Sequence, residues 1–348
     1  MPNHIDIPGA IRSLEELEDR LSTPWEQLIE GFGRREGDVM ILGAGGKMGP
    51  SLARMAQRAC QMAGGRRHVF AASRFSDAAK RQALEACGVH TIACDLLDES
   101  ALASLPAASE VVYLAGMKFG TTRQEPLVWA LNAHLPGLVC RRYHDSRVAA
   151  FSTGNVYGLS ETGRGGSREE DPPRPAGEYA MSCLGRERIF EYYSRAAQLP
   201  VAIIRLNYAC EMRYGVLVDL ARRVLAGEPI DLAMGWFNII WQGDANALAL
   251  LLLERAATPA LTVNLTGPEL LSVREVALEF GRWLGKEVCF RGQEAATALL
   301  SNAARLREWF GPPRIDAGQL IRWIADWVKR GGAALQMPTH FEVRDGKY

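Results

Sequence analysis

The stretch DVMILGAGGKMGPSLARM, residues 38–55, limits the possible folds more than any other part of the chain. A short apolar run ends in glycines, and a segment with helical spacing follows at once. That is the pattern of a buried strand, a tight turn and a helix packed back on the strand. The alternation continues. HVFAASR reads as a second strand and SDAAKRQALEACG as a second helix, and HTIACDLLD, EVVYLAG, RVAAFSTG and VAIIRLNYA supply four more short apolar or β-branched runs. Strands separated by helices are joined by crossovers and therefore lie parallel, so an α/β fold with a doubly wound parallel sheet is expected.

The flanks differ from this repeat. Residues 1–36 read as an N-terminal helical extension: Ser13 caps a helix with Glu16 three residues on, and Leu14, Leu17, Leu21 and Leu28 form an apolar stripe suited to packing or an oligomer contact. Residues 37–210, with parts of 236–266, read as a dinucleotide-binding domain. Beyond Cys210 the sequence turns mainly helical. In LTVNLTGPELLSVREVALEFGRWLG, a strand and a turn lead to a helix capped by Ser272 with Glu275. Residues 211–335 are expected to form a smaller C-terminal α/β substrate lobe, with their tryptophans in the core. Residues 336–348 read as a tail without pattern.

Charge and composition exclude several roles. The 40 Lys and Arg residues balance 40 Asp and Glu, which gives no global attraction to nucleic acid or an anionic membrane. The longest apolar run, ALALLLL at 247–253, is too short to span a bilayer, and the acidic, polar N-terminus is no signal peptide. Seven cysteines form no CxxC pair, and six histidines show neither HxH nor HExxH spacing, so no metal site is expected. These features describe a soluble cytoplasmic protein that takes a small molecule as its partner.

The glycine turn suggests that molecule. In ILGAGGKMGP, Gly43 permits the turn, Gly46 leaves room for a pyrophosphate on the backbone of Lys47 and Met48, and Gly49 allows close helix packing. The helix start then faces the phosphates with its positive end. The expected ligand is NAD or NADP. The residue that distinguishes them ends the second strand, where a carboxylate bonds the ribose of NAD and an arginine suits the phosphate of NADP. Ser73 and Arg74 take that place and point to NADP. Asp95, with Leu96, ends the third strand near the expected adenine.

In order along the chain, these motifs resemble the extended short-chain dehydrogenases/reductases, the NAD-dependent epimerase/dehydratase group, from about Asp38 to Val328. GAGGKMG resembles the phosphate loop. VVYLAGMKFG, with Leu114, Ala115, Gly116 and Lys118, resembles the fourth-strand motif. LNAHLPG carries Asn132 at the family's helix asparagine. FSTGNVYG resembles SSxxVYG, EYAMSCLGRERIFE resembles YxxSKxxxE, and RLNYAC with Asn207 resembles the RxxNxYG stretch. The resemblance implies a Rossmann-type fold, with Tyr179 as proton shuttle and Thr153 polarising the substrate oxygen. It places Tyr157 in a structural role and Asn155, Arg213 and Tyr214 near substrate. It also implies a homodimer formed by the helix after the fourth strand and the tyrosine helix.

Two positions depart from the family pattern. Cys183 stands where the resemblance places a lysine that binds the cofactor ribose and lowers the tyrosine pKa. A thiol of ordinary pKa, about 8.5, is mostly neutral and does neither; Lys118 is the cation expected to take over. At FNIIWQGD, Phe237 replaces an arginine that grips the diphosphate of nucleotide sugars, although Asp244 is kept. The expected function is therefore an NAD(P)-dependent oxidoreductase or epimerase acting on a small carbohydrate-like alcohol, a sugar or sugar acid without a nucleotide. The alternative is a nicotinamide-binding sensor or scaffold that lost turnover with the lysine.

Overall fold

The computed structural model describes residues 9–118, 123–337 and 339–346. Seven strands form one parallel sheet: β1 (Val39–Leu42), β2 (Val69–Ser73), β3 (His90–Ala93), β4 (Glu110–Tyr113), β5 (Arg147–Thr153), β6 (Val201–Leu206) and β7 (Leu261–Leu265). Their order is β7-β6-β5-β4-β1-β2-β3, with β1 hydrogen-bonded to both β2 and β4. The six runs read as strands are all in it, and LTVNL supplies the seventh.

Alternate residues of each strand face opposite sides of the sheet. Val39 and Ile41 pack with Leu52 and Met55 of the helix Gly49–Met62 and with Leu248 and Leu252. Met40 and Leu42 face the other side, with Leu138, Val139 and Phe190. Phe190 lies on the helix of the tyrosine motif, Gly177–Ala196, which runs across β5.

The lobe has its own core. Helices Val216–Ala226, Val273–Leu284 and Ala317–Lys329 bury Leu220, Phe280, Ile321 and Trp323 together. Ser272 caps the second of these as expected, accepting from the Glu275 backbone N–H.

The N-terminal extension is two helices rather than one. Leu14–Leu21 and Glu26–Arg34 are separated by the segment carrying Pro24, which lacks a backbone N–H to continue a helix. Ser13 caps the first, with Leu17 and Leu21 in the lobe core, whereas Leu28 and Phe32 of the second join the core against the sheet. The continuous stripe expected through Leu14 is therefore corrected: Leu14 is exposed, and the extension ties lobe to sheet.

One buried ion pair locks the tyrosine helix to the sheet. Glu187 accepts from Arg205 of β6 through Nε at 3.0 Å and Nη2 at 2.7 Å, and from the Ser152 hydroxyl at 2.5 Å. Removing one partner leaves a buried charge uncompensated, which costs about 3–5 kcal/mol. Glu187→Gln should lose stability on that scale in guanidinium denaturation, while the paired Glu187→Leu/Arg205→Met should lose much less. Equal losses would contradict this account.

Candidate functional site

Between β1 and β4 the chain reverses its direction of winding, and the strand ends part to leave a crevice. The crevice holds two neighbouring cavities of about 260 Å³ each, and Gly43, Gly46, Leu114 and Gly116 line both. Gly43 has φ +87°, and a Cβ there would meet the Ala115 backbone N at 2.5 Å, so the turn requires glycine. A Cβ on Gly46, by contrast, would have only the Gly43 carbonyl within 4 Å, at 3.4 Å. That open face lies beside the start of the helix Gly49–Met62, whose first N–H groups have no side-chain cap. Backbone donors, helix polarity and open space together fit an anionic group such as a pyrophosphate.

The first cavity is lined by Ser73, Arg74, Asp95, Leu96 and Ala115, and also by Lys80. The nearest downstream carboxylate, Asp77, is committed to capping the next helix, accepting from Ala79 N at 3.0 Å and Lys80 N at 3.3 Å. Asp95 accepts from the Leu97 N–H at 3.0 Å.

The second cavity gathers Tyr179, Thr153, Lys118, Asn155, Asn207 and Tyr214, together with Lys47, Met48 and Gly49 of the glycine turn. Tyr179 sits in the first turn of its helix, and its hydroxyl is hydrogen-bonded to Thr153 and Cys183. Burial holds the phenol pKa well above its usual value and Cys183 adds to this, while Arg186 and the Thr153 hydrogen bond oppose it. The Lys118 Nζ lies 5.8 Å from the Tyr179 ring centroid. Burial lowers the Lys118 pKa to about 8. Lys47 crosses the crevice: its Nζ donates to the Ala209 carbonyl at 2.9 Å and lies 3.9 Å from the Tyr214 ring centroid. Burial brings its pKa to about 8 as well, partly opposed by Glu211 and deepened by Lys118 and Arg213.

Three expected site residues stand off the cavity wall. Cys183 is fully buried behind it, packed with Val156 and Tyr157, and burial raises its thiol pKa. Asn132 is a brace: its Oδ1 accepts from Met117 N at 2.9 Å and Arg186 Nη2 at 2.7 Å, and its Nδ2 donates to Ser182 at 2.9 Å. Arg213 is held in ion pairs with Glu18 at 2.7 Å and Glu211 at 3.0 Å, joining the extension to the lobe. Tyr157 is buried and donates to Asn264 at 2.8 Å.

Arg186 and Thr339 also line this cavity, although neither is given a role from the sequence. Arg186 reaches the cavity from one turn beyond Cys183, and Thr339 reaches it from the tail. The tail is fixed to the lobe by Thr339, which donates to Asp219 through N at 2.9 Å and Oγ1 at 2.6 Å, and by the buried Phe341. Arg186 had a signal, a charged residue three positions after Cys183 on the same helical face. Thr339 had none, because its place depends on the path of the tail. Among the described residues, the wall of this cavity carries Lys47, Lys118 and Arg186 and no carboxylate.

A model of the NAD dependent epimerase/dehydratase family matches residues 39–258. No curated protein matches in sequence. Solved structures do match in fold. UDP-glucuronic acid 4-epimerase from Bacillus cereus, in complex with NAD, is 17% identical with TM-score 0.70, over 86% of this chain and 99% of that one. UDP-glucose 4-epimerase from Thermotoga maritima, with UDP-glucose, is 14% identical with TM-score 0.69, over 84% and 99%. The Thermus thermophilus UDP-glucose 4-epimerase complex with NAD is 20% identical with TM-score 0.66, over 84% and 99%.

The lowered pKa of Lys47 makes a stability prediction. With its pKa near 8 in the fold and near 10.5 unfolded, Lys47 binds more protons in the unfolded chain between those limits. Its charge therefore penalises folding below pH 8, and the penalty fades as pH rises to about 10.5. Lys47→Met should stabilise the ligand-free protein at pH 7, on the order of 1–3 kcal/mol, and this gain over the wild type should shrink by pH 10. Denaturant titrations of both proteins at the two pH values check it.

Proposed function

This chain belongs to the NAD dependent epimerase/dehydratase family, and we propose that it is an oxidoreductase or epimerase acting on a carbohydrate-like alcohol, with Tyr179 moving the hydroxyl proton. The observation that carries this reading is the Tyr179–Thr153 hydrogen bond on the wall of a cavity that shares the glycine turn. A nicotinamide dinucleotide, when bound, supplies hydride acceptance and donation. Gly46, Lys47 and Met48 would hold its pyrophosphate, with Ser73, Arg74, Asp95 and Leu96 at the adenosine end. Arg74 and Lys80 beside that end, with Asp77 occupied as a cap, support NADP over NAD.

On the protein's side the roles divide by geometry. Thr153 presents a hydroxyl beside Tyr179, so one substrate oxygen can bond both. Tyr179 is protonated in the ligand-free state and so starts as the proton donor, the role that reduction of a carbonyl requires. In the oxidising direction it must act as a base, which requires nearby positive charge, and Lys118 is placed to contribute. Asn155 and Tyr214 complete the substrate wall, and Asn207 is assigned to the cofactor.

The named relatives are UDP-sugar enzymes, which sets a nucleotide-linked substrate beside the unlinked sugar expected from Phe237. One observation favours the smaller molecule. Phe237 is fully buried, 6.4 Å from the ring of the tail residue Phe341, and Thr339 of the same tail forms cavity wall. Exposed Leu127, Trp129, Met181 and Tyr192, on the two helices implicated in pairing, support a homodimer.

The test is a panel of free sugars, sugar acids and UDP-linked counterparts with each cofactor. It follows absorbance of the reduced nicotinamide for net oxidoreduction and chromatography for epimers. Tyr179→Phe should lower turnover by at least about a hundredfold. Turnover that survives Tyr179→Phe would sink the proposal, and binding without turnover on any substrate would favour the sensor reading. Arg74→Ser should weaken NADP more than NAD; equal losses would remove the NADP preference.

A further inference from the structure

We propose that Arg186 is the fixed positive charge that acts on Tyr179 from the cavity wall, standing in for a cation at position 183. The inference rests on Tyr179 being the proton-transfer group. Arg186 is 6% exposed, lines the cavity together with Tyr179 and Lys118, and follows Cys183 by three residues on the same helix. Side chains on a helix lean towards its N-terminus, which carries a long guanidinium back over Cys183 towards Tyr179. The thiol at 183 is short and leaves that path open.

The guanidinium is held by a built socket. Nη1 donates to the Phe151 carbonyl at 2.7 Å, Nη2 to Asn132 Oδ1 at 2.7 Å and Nε to the Asn132 carbonyl at 3.3 Å. Its central carbon lies 5.4 Å from the Tyr113 ring centroid. Gly116 completes the socket, since a Cβ there would fall 2.3 Å from Nη2. Those bonds use three of the five N–H groups, all to neutral acceptors, so the positive charge is positioned without being cancelled. Glu187, the adjacent carboxylate, is already engaged by Arg205.

The groups that bear on Tyr179 are then Cys183 and Arg186 from its own helix, Thr153 from β5 and Lys118 from beyond β4. Burial and Cys183 disfavour the phenolate, while Arg186 favours it. Lys118 loses its charge near pH 8, whereas a guanidinium stays charged throughout. Arg186 is therefore the cation of the two that keeps its charge above pH 8. It acts through Tyr179 and does not itself exchange a proton.

The experiment reads Tyr179 directly and needs no turnover, so it stands apart from the substrate panel. Difluorotyrosine placed at position 179 is titrated by fluorine NMR in the full chain, with and without NADP. Arg186→Gln should move the ionisation upward by about one to two pH units, a tenfold to hundredfold change in the ionisation constant. Adding Cys183→Lys to that variant should bring it back down. An unmoved ionisation in a folded Arg186→Gln protein overturns the proposal, as does a folded double variant without recovery. Should Arg186→Gln fail to fold, Gly116→Ala takes its place, because the added methyl displaces the guanidinium. A shift of more than about half a unit then supports the proposal, and none overturns it.

Discussion

The reversal of strand order at β1 is the constraint on which the site depends. Strands β2 and β3 are laid down on one side of β1, and β4, β5, β6 and β7 on the other. Among the described residues no crossover covers the strand ends at the reversal, and the glycine turn after β1 and the Leu114–Lys118 segment after β4 together line the crevice. Residues far apart in sequence then meet by topology alone: Lys47 reaches the Ala209 carbonyl after β6, and Thr153 at the end of β5 reaches Tyr179. The lobe and the tail close the far side with Tyr214 and Thr339.

That crevice is built at a cost in stability. Two half-buried lysines and the buried Arg186 surround one cavity of about 260 Å³, and desolvation brings both lysines to a pKa of about 8. A lysine whose pKa is lowered in the fold opposes folding while it is charged. The arrangement makes sense where a ligand supplies the negative charge, because an anion would stabilise each of these charges in place. A dinucleotide brings two phosphates to the glycine turn. A sugar acid would bring a carboxylate to the same field.

Much of this is legible in the sequence, because the relevant signals are local. The strands from Val39 to Leu206 announce themselves by short apolar runs, the turn by Gly43, and the lobe helix by Ser272 before Glu275. The extension is less legible, since an apolar period carried across Pro24 joins Leu21 to Leu28 although each belongs to a different core. Site residues on or just past strand ends, such as Ser73, Thr153 and Asn207, can be placed because the sheet aims them all at one edge. Arg213 and Arg186 show the boundary. Adjacency along the chain makes Arg213 look like a substrate ligand, but Glu18 and Glu211 hold it away. Arg186 enters through the reach of a long side chain across a helical turn, and helical spacing alone does not say where such a chain ends.

Three features of the site become one when it is viewed as a charge problem. A small Gly116, a short Cys183 and a buried Arg186 each look unfavourable alone: glycine brings no packing, cysteine brings no charge, and a buried arginine needs partners. Together they are mutually required. The guanidinium needs the volume that Gly116 leaves and the carbonyls of Asn132 and Phe151. Asn132 serves this socket first, which explains why it faces Arg186 and Ser182 instead of the crevice. The phenol therefore keeps a cationic neighbour, supplied from one helical turn further on. A lysine restored at 183 alone would set a second positive charge close to Arg186, so part of its effect on the phenol would be offset by repulsion between the two cations.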